Sequence, residues 1–260
     1  MTTLPTPARP RPRNKWFLRE PAPDATSRLF LIPYSGCGAS MYRQWPQTIG
    51  DGTDVCAVQL PGRENRLREE PHKTYELMAD DLAEALAPYL DRPYALFGHC
   101  GSALGAYETA VRLVQRGLPA PTRLFVSSQV APQDGPCGRF LGLDDEQLLD
   151  ELGRLVVEMG GKPVRSLLEL SLGVLRADIE ANKLYRVADP TCLPSPLTAI
   201  GWRQDVEVPH ATMGGWPACG ETTYELLDGE HYTFTGAPEP LLALLAAGLA
   251  GPAAAAEAAA

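Results

Sequence analysis

The stretch that decides the fold is residues 94–103, which read YALFGHCGSA. A short apolar run stops at Gly98, and small residues then surround a central cysteine, Cys100. In a GxSxG nucleophile elbow, a sharp turn between strand and helix lifts the central side chain above a sheet, and the small residues let the backbone approach closely. Here the pattern is GxCxS, with Ser102 in place of the last glycine. The stretch therefore predicts an elbow that presents a thiol.

The position of Cys100 also bears on its reactivity. At the start of a helix the thiol would lie near the positive end of the helix dipole, which favours the nucleophilic thiolate. The alternative is an inert buried cysteine that follows a strand.

Further short apolar runs flank the elbow and alternate with helical patterns. The predicted strands cover residues 28–32, 55–60, 94–97, 123–128, 197–200 and about 224–227, and the predicted helices cover residues 74–90, 103–115 and 240–249. Strands that alternate with helices imply an α/β fold with a mostly parallel sheet. A Leu-rich helical stretch at about 137–185 interrupts the alternation, and it is predicted to be an inserted lid.

Composition limits the organisation and the class of function. The chain has 260 residues, 45% of them hydrophobic, and a net charge of −9, which argues against a nucleic-acid partner. We expect one domain over 27–250, between a flexible segment rich in Pro and Arg (1–26) and a low-complexity tail (251–260). No apolar run is long enough for a membrane span, so a cytoplasmic location is expected.

The six cysteines lack the spacing typical of zinc sites, so we expect reduced thiols, no metal and no cofactor.

A general base for Cys100 should come last in the chain, on the loop after the final strand. His231, in the segment DGEHY, occupies that place. Of the other histidines, His72 precedes a helix, His99 should point away from Cys100, and His210 lies in a loop rich in Pro and Gly. A lone histidine is more often structural than catalytic, but its place in the chain favours His231.

An acid that orients the base should follow the fifth strand. Asp205 lies just beyond that strand. The alternatives are a solvated role for Asp205, or the use of Asp189, which precedes the strand, or Asp228, which lies on the turn before His231.

An oxyanion formed at the attacked carbonyl needs two backbone N–H donors. Gly101 follows the nucleophile and supplies the first. The second is expected from the small-residue loop 34–39 (YSGCGA), with Ser35 as the best candidate. That loop lacks a phosphate-binding pattern, so a nucleotide site is not expected.

Several segments together resemble one known family, from about Leu29 to the end of the closing helix. They are 33–34 (PY) with the loop that follows, 42–45 (YRQW), 60–66 (LPGRENR), the elbow with 106–108 (AYE), 127–132, 175–178 (LRAD) with Tyr185, and 229–232 (GEHY). The chain resembles the type II thioesterases, the free-standing editing enzymes of polyketide and nonribosomal peptide synthesis. The resemblance implies an α/β-hydrolase fold, a mobile helical lid, and a triad in the order nucleophile, Asp, His. We also expect a monomer. It also implies a substrate held on the phosphopantetheine arm of an acyl or peptidyl carrier protein.

Three positions depart from the family pattern. The family nucleophile is usually Ser, its elbow usually ends in Gly, and its oxyanion loop usually has a second Gly where this chain has Cys37. A Cys enzyme keeps the acyl group as a thioester, which can pass reversibly to another thiol.

The predicted function is hydrolysis of a carrier-bound acyl or aminoacyl thioester through Cys100, His231 and Asp205. The first alternative is a shuttle that transfers the group to a second carrier protein. The second alternative is an inactive binding protein that has kept the fold.

Cys37 carries a separate hypothesis. The resemblance places it near Cys100, and two thiols can form a disulfide if their Cα atoms come within about 7 Å. The alternative is that Cys37 fills space and points away.

Overall fold

The computed structural model describes residues 14–250, which form a seven-stranded sheet flanked by helices. The sheet order is β2-β3-β1-β4-β5-β6-β7, and every neighbouring pair is parallel except β2 and β3. The strands are β1 Ser27–Leu31, β2 Thr48–Ile49, β3 Thr53–Ala57, β4 Tyr94–His99, β5 Arg123–Ser127, β6 Leu197–Trp202 and β7 Thr222–Leu227. The predicted α/β class and its six strands are confirmed. The two-residue strand β2 was missed because it is too short to show an alternating pattern.

The central strands are apolar on both faces, because helices cover both sides of a parallel sheet. Phe30 and Leu96 point into one core, under α1 (Tyr75–Leu86) and α2 (Gly101–Gln115). Their neighbours Leu31 and Phe97 point into the opposite core, against α5 (Glu239–Leu249). Successive side chains of a strand alternate between faces, so one continuous apolar run fills both cores.

Two helices, α3 (Asp145–Glu158) and α4 (Arg165–Leu184), occupy the stretch that was predicted to be a lid. A capping box at Asp144 and Gln147 begins α3. The leucines of α3 are buried in the same core as Cys100, at positions 148, 149, 152 and 155. A Cβ built on Gly36 would lie 3.3 Å from Leu152 of α3 and 3.1 Å from Leu175 of α4, so the pair of helices packs against the loop 34–39.

The N-terminal segment differs from the expected loose tail over residues 14–26. Phe17 is buried and forms a β-bridge with Val58, and Arg19 donates hydrogen bonds to Asp54 and to the carbonyl of Val55. An aromatic side chain buried on the sheet holds this part in place, which the Pro-rich composition did not indicate. Residues 1–13 and the predicted tail at 251–260 lie outside the described residues.

Within residues 14–250, no helix has the length and apolar character needed to cross a membrane.

Candidate active site

The elbow lies where β4 ends at His99 and α2 begins at Gly101. Cys100 between them has φ 55° and ψ −134°, a conformation that costs a residue other than glycine on the order of 1–3 kcal/mol. The backbone approaches closely here, since a Cβ built on Gly98 would lie 2.2 Å from the carbonyl oxygen of Ser102. Gly98, the first small residue of GxCxS, therefore stands where no side chain would fit.

Ser102 does more than fill the place of the last glycine. Its hydroxyl accepts a hydrogen bond from the N–H of His99 at 3.0 Å and donates one to the carbonyl of His99 at 2.9 Å. The N–H of Cys100 donates to the carbonyl of Ser127 on β5 at 2.8 Å. These bonds hold the strained turn from both sides, so the serine stabilises the elbow.

Asp205 and His231 meet above the same sheet edge, after β6 and β7 respectively. Nδ1 of His231 is 2.9 Å from Oδ2 of Asp205, and Ser128 donates to the same oxygen at 2.7 Å. The other carboxylate oxygen accepts the N–H groups of Glu207 and Val208 at 2.8 and 3.0 Å. Burial alone would raise the pKa of Asp205, but the hydrogen bonds from His231 and Ser128 lower it to about 2. The carboxylate therefore stays charged.

His231 is buried beside the elbow. Burial alone would lower its pKa, but its interactions with Asp205, Cys100 and Glu207 raise it to about 10. Its Nε2 is 3.4 Å from the hydroxyl of Tyr34 and 3.7 Å from Oε2 of Glu207. The imidazole thus has carboxylates on two sides.

The rival acids lie elsewhere. Asp189 is exposed, and Asp228 is an exposed partner of Arg203 at 2.7 Å. Of the predicted acids, the structure brings only Asp205 to His231 among the described residues.

His99 was expected to point away from Cys100, and its ring packs beneath the site. It lies 4.6 Å from the ring of His231 and stacks on Phe234 at 4.0 Å between centroids. Nδ1 of His99 is 2.9 Å from the hydroxyl of Ser127. Burial and the charge of His231 hold the pKa of His99 well below its usual value. His99 is therefore a neutral support for the His231 ring.

Ser35 and Gly101, the two candidate oxyanion donors, lie next to each other. A Cβ built on Gly101 would be 3.1 Å from the hydroxyl oxygen of Ser35. Gly101 is the first residue of α2, so its N–H has no intrahelical acceptor. The two residues expected to supply the oxyanion donors are therefore neighbours in space.

The loop that carries Ser35 is tied to the lid by a link that sequence reasoning missed. Asp178, on α4, accepts the N–H of Gly36 at 2.8 Å and pairs with Arg63 through two hydrogen bonds of 3.0 and 3.2 Å. The side chains of Arg63 and Asp178 are 5% and 17% exposed, so the pair is largely shielded from water. The only signal was that both residues lie in segments that carry the family resemblance.

A small cavity of about 20 Å³ lies beside Cys100, with room for about one water molecule. Four parts of the chain form its walls: the loop 34–39, residues 138–141 before α3, the helix α4, and the loop after β6. They are formed by Tyr34, Ser35, Gly138, Arg139, Phe140, Leu141, Asp178, Ile179, Asn182 and Glu207. Glu207, whose Oε2 lies 3.7 Å from Nε2 of His231, thus shares the wall of this cavity with Cys100, and nothing in the sequence had indicated it.

A second cavity, of about 270 Å³, lies between the loop around Cys37 and apolar side chains of α3 and α4. Burial raises the pKa of the Cys37 thiol to about 12, although Arg63 opposes the shift. Cys37 and Cys100 are both free and line different cavities.

The part of the chain that the structure describes contains no group of three or more His, Cys, Asp or Glu side chains that could hold a metal ion.

Comparison with known proteins shows which family the chain resembles. A family described as "Thioesterase domain" matches residues 27–245. The gramicidin S biosynthesis protein GrsT of Aneurinibacillus migulanus is 34% identical over 229 residues, which cover 84% of this chain and 88% of that protein. Thioesterase PikA5 of Streptomyces venezuelae is 31% identical over 208 residues, covering 77% of this chain and 73% of that protein.

Solved structures show the same fold. The RedJ thioesterase from the prodiginine pathway of Streptomyces coelicolor superposes with a TM-score of 0.76 at 35% identity, covering 87% of each chain. The type II thioesterase BorB from the borrelidin biosynthetic cluster superposes with a TM-score of 0.76 at 28% identity, covering 90% of this chain and 97% of that one.

Proposed function

Because the chain belongs to the thioesterase family, we propose that it takes an acyl or aminoacyl group from a carrier-protein thioester onto Cys100 and releases it by hydrolysis. The observation that carries the proposal is the elbow: the thiol stands on a strained turn beside the hydrogen-bonded pair of His231 and Asp205. GrsT is a gramicidin S biosynthesis protein, and RedJ and BorB come from the prodiginine pathway and the borrelidin biosynthetic cluster; we extend such a biosynthetic setting, of a polyketide or a nonribosomal peptide, to this chain. The α/β-hydrolase fold fits the seven-stranded sheet with its inserted helices.

In the proposed reaction, His231 holds the proton of the Cys100 thiol before the attack, as its raised pKa of about 10 favours, and the Cys100 thiolate attacks the thioester carbonyl. Asp205 holds the ring of His231 and stabilises its charged form. The negative oxygen of the tetrahedral intermediate receives the N–H groups of Ser35 and Gly101. The bond to the phosphopantetheine sulfur then breaks, and His231 returns the proton to the departing thiolate. Water repeats the attack on the acyl-Cys100 thioester, giving a free acid and restoring the thiol.

One observation favours a second candidate, which is transfer. The acyl-enzyme on Cys100 is itself a thioester, so a second carrier thiol can accept the group with little change in energy. A serine enzyme would hold a more stable oxoester. The identity of residue 100 is therefore the reason to test both acceptors.

The deciding experiment uses a carrier protein loaded with a radiolabelled acyl group, with and without a second carrier that bears a free phosphopantetheine thiol. Free labelled acid means hydrolysis, and label on the second carrier means transfer. The variant Cys100→Ala should lose both outcomes, and Cys192→Ala, which removes an exposed thiol, should keep them. If no label reaches Cys100 and none is released, the chain is a binding protein and the proposal is wrong.

A further inference from the structure

Glu207 is a shielded carboxylate near Nε2, the ring nitrogen of His231 that Asp205 does not hold. Its side chain is 7% exposed and lies on the loop after β6. Oε2 of Glu207 is 3.7 Å from Nε2 of His231, whereas Oδ2 of Asp205 is 2.9 Å from Nδ1. Each ring nitrogen therefore has a carboxylate near it. Two acidic partners favour the charged imidazolium more than one partner does.

The other groups around the His231 ring do not cancel this effect. Burial raises the pKa of two tyrosines and lowers that of one histidine, so three neighbouring rings are uncharged near pH 7: Tyr34, Tyr232 and His99. Asp178, the other acidic residue of the cavity wall, is paired with Arg63. Burial alone would lower the pKa of His231, and the partners that raise it to about 10 are Asp205, Cys100 and Glu207.

Arg139 determines how much of the Glu207 charge acts on His231. It contacts Oε1 of Glu207 at 3.2 Å, and it also pairs with Glu151 on α3. One guanidinium carries a single positive charge, so it cannot neutralise both carboxylates. Oε2 of Glu207 therefore still presents negative charge to Nε2 of His231.

A protonated imidazole suits a cysteine nucleophile and hinders a serine. A thiol can give its proton to the imidazole before the attack, so the working state is a thiolate beside an imidazolium. A serine hydroxyl keeps its proton until the attack, so its histidine must be neutral in order to take that proton. A second carboxylate beside His231 therefore favours the first kind of enzyme and slows the second.

We propose that Glu207 is a second acidic partner of His231, one that keeps the imidazole protonated and so matches the site to Cys100 instead of a serine. Glu207 acts through His231, which makes it a positioning residue, and Arg139 moderates its charge. The inference rests on the proposed function, in which Cys100 is the nucleophile. Exchange of the nucleophile alone should then leave a histidine that is charged when it needs to be neutral.

The test exchanges the nucleophile and the carboxylate separately and together, with acetyl-pantetheine thioester as the substrate. In the Cys100→Ser background, Glu207→Gln should raise kcat/KM at pH 7 about 3- to 10-fold, because an approximately tenfold weaker hold on the proton leaves more of His231 neutral. In the cysteine enzyme, the same substitution should move the alkaline limb of kcat/KM, where His231 loses its proton, about 1 pH unit lower. Losses of activity at pH 7 in both backgrounds would mean that Glu207 only supports the fold, and would overturn the proposal.

A direct titration of the ring decides the matter where the serine variants have no measurable activity. The chain has four histidines, so comparison with His231→Gln identifies the His231 signal in an NMR spectrum of the imidazole C–H groups. In Cys100→Ser, where no thiolate titrates with the ring, the midpoint should fall by about 1 pH unit with Glu207→Gln and rise with Arg139→Gln. A disturbed loop would not give these opposite directions. A midpoint that Glu207→Gln leaves in place overturns the proposal.

Glu230→Gln is the matched control, because it removes the same charge from the residue next to His231 in the chain, where the side chain is exposed. The midpoint of His231 should move by less than about 0.3 pH units, since water screens an exposed charge. An equal shift in Glu230→Gln and Glu207→Gln would assign the effect to net charge and refute the pairing. If the wild type forms no acyl-enzyme while the midpoints respond as expected, the proposed function of Cys100 fails and the pairing of Glu207 with His231 stands.

Discussion

The two sides of the active site are built differently. On the sheet side, the backbone turn at Cys100 and a buried network around Asp205 fix the reacting groups. On the lid side, α4 meets the site through the ion pair of Asp178 with Arg63. Arg139, on the segment that leads into α3, meets it through Glu207.

From this difference we expect the sheet side to determine the reaction and the lid side to influence which substrate is accepted. Groups fixed by the backbone of neighbouring strands keep their geometry whatever substrate is bound, because the hydrogen bonds of the sheet cannot change independently. Groups held by side-chain ion pairs can exchange one partner for another. Substitutions on the sheet side should therefore affect every thioester, and those on the lid side should depend on what they touch.

The largest effect is expected from Cys100→Ala. Without the thiol no acyl-enzyme can form, and turnover should fall by about 10⁴-fold or more, as expected when a nucleophile is removed. Cys100→Ser should keep slow hydrolysis through an oxoester and lose transfer to a second thiol. Mass spectrometry of the trapped acyl-enzyme checks the first point. Iodoacetamide at low concentration should also modify Cys100 ahead of the other five cysteines, and the idea of an activated thiol is wrong if it does not.

The sequence was informative where a local pattern sets the backbone. Gly98, Cys100 and Ser102 lie within five residues, so the elbow could be predicted from the turn that such small residues permit. His231 and Asp205 could be placed because this fold ends successive strands at one edge. Glu207 could not be placed at the site in this way. Its position there depends on a cavity formed by residues up to about 170 positions away in the chain. The hydrogen bonds of Ser102 were missed because a small-for-small exchange gives no hint of its partners.

The next largest effect tests whether the sheet side holds the acid. Asp205→Asn should lower kcat by roughly 10²- to 10⁴-fold with the fold retained, because it disturbs the orientation and charge of His231. Asp189→Asn makes the same chemical change at an exposed site and should have little effect. Circular dichroism and steady-state kinetics on both variants suffice. The reverse ranking would mean that the acid lies before β6.

The pair of His231 and Asp205 also makes stability depend on pH. The pKa of His231 rises to about 10 in the folded protein, above about 6.5 in an unfolded chain. The stabilisation is thus complete below about pH 6.5 and is lost as pH rises through 10. The difference in unfolding free energy between wild type and Asp205→Asn should therefore shrink between these pH values. Urea unfolding at pH 6, 8 and 10 measures it, and a difference that widens with pH would contradict the assignment.

A moderate effect is expected where the two sides are joined. Asp178→Asn leaves the nearly buried guanidinium of Arg63 without its counter-ion and weakens the anchor of Gly36, next to Ser35. We expect kcat/KM to fall about 10-fold whatever acyl group the thioester carries, because the loop 34–39 serves every substrate.

The control for that variant is Asp145→Asn, which removes the same charge from another ion pair of the lid. Asp145 and Arg176 are 55% and 51% exposed, and such surface pairs contribute only about 0–1 kcal/mol. Activity should change by less than about 2-fold. Equal losses in the two variants would show that the lid responds to net charge and not to its link with the oxyanion loop.

The smallest effect is expected at Cys37. Its thiol lies in the loop 34–39 and lines the cavity next to α3 and α4. Burial raises the pKa of its thiol to about 12, and it faces a different cavity from Cys100. A thiol that stays protonated at neutral pH is a poor partner for disulfide exchange. Cys37→Ala should therefore leave turnover within about 2-fold of wild type and leave the sensitivity to mild oxidation unchanged. Peptide mapping after diamide treatment, with and without dithiothreitol, checks both points. A Cys37–Cys100 link, together with protection by Cys37→Ala, would show that the oxyanion loop moves far enough to bring the two thiols together.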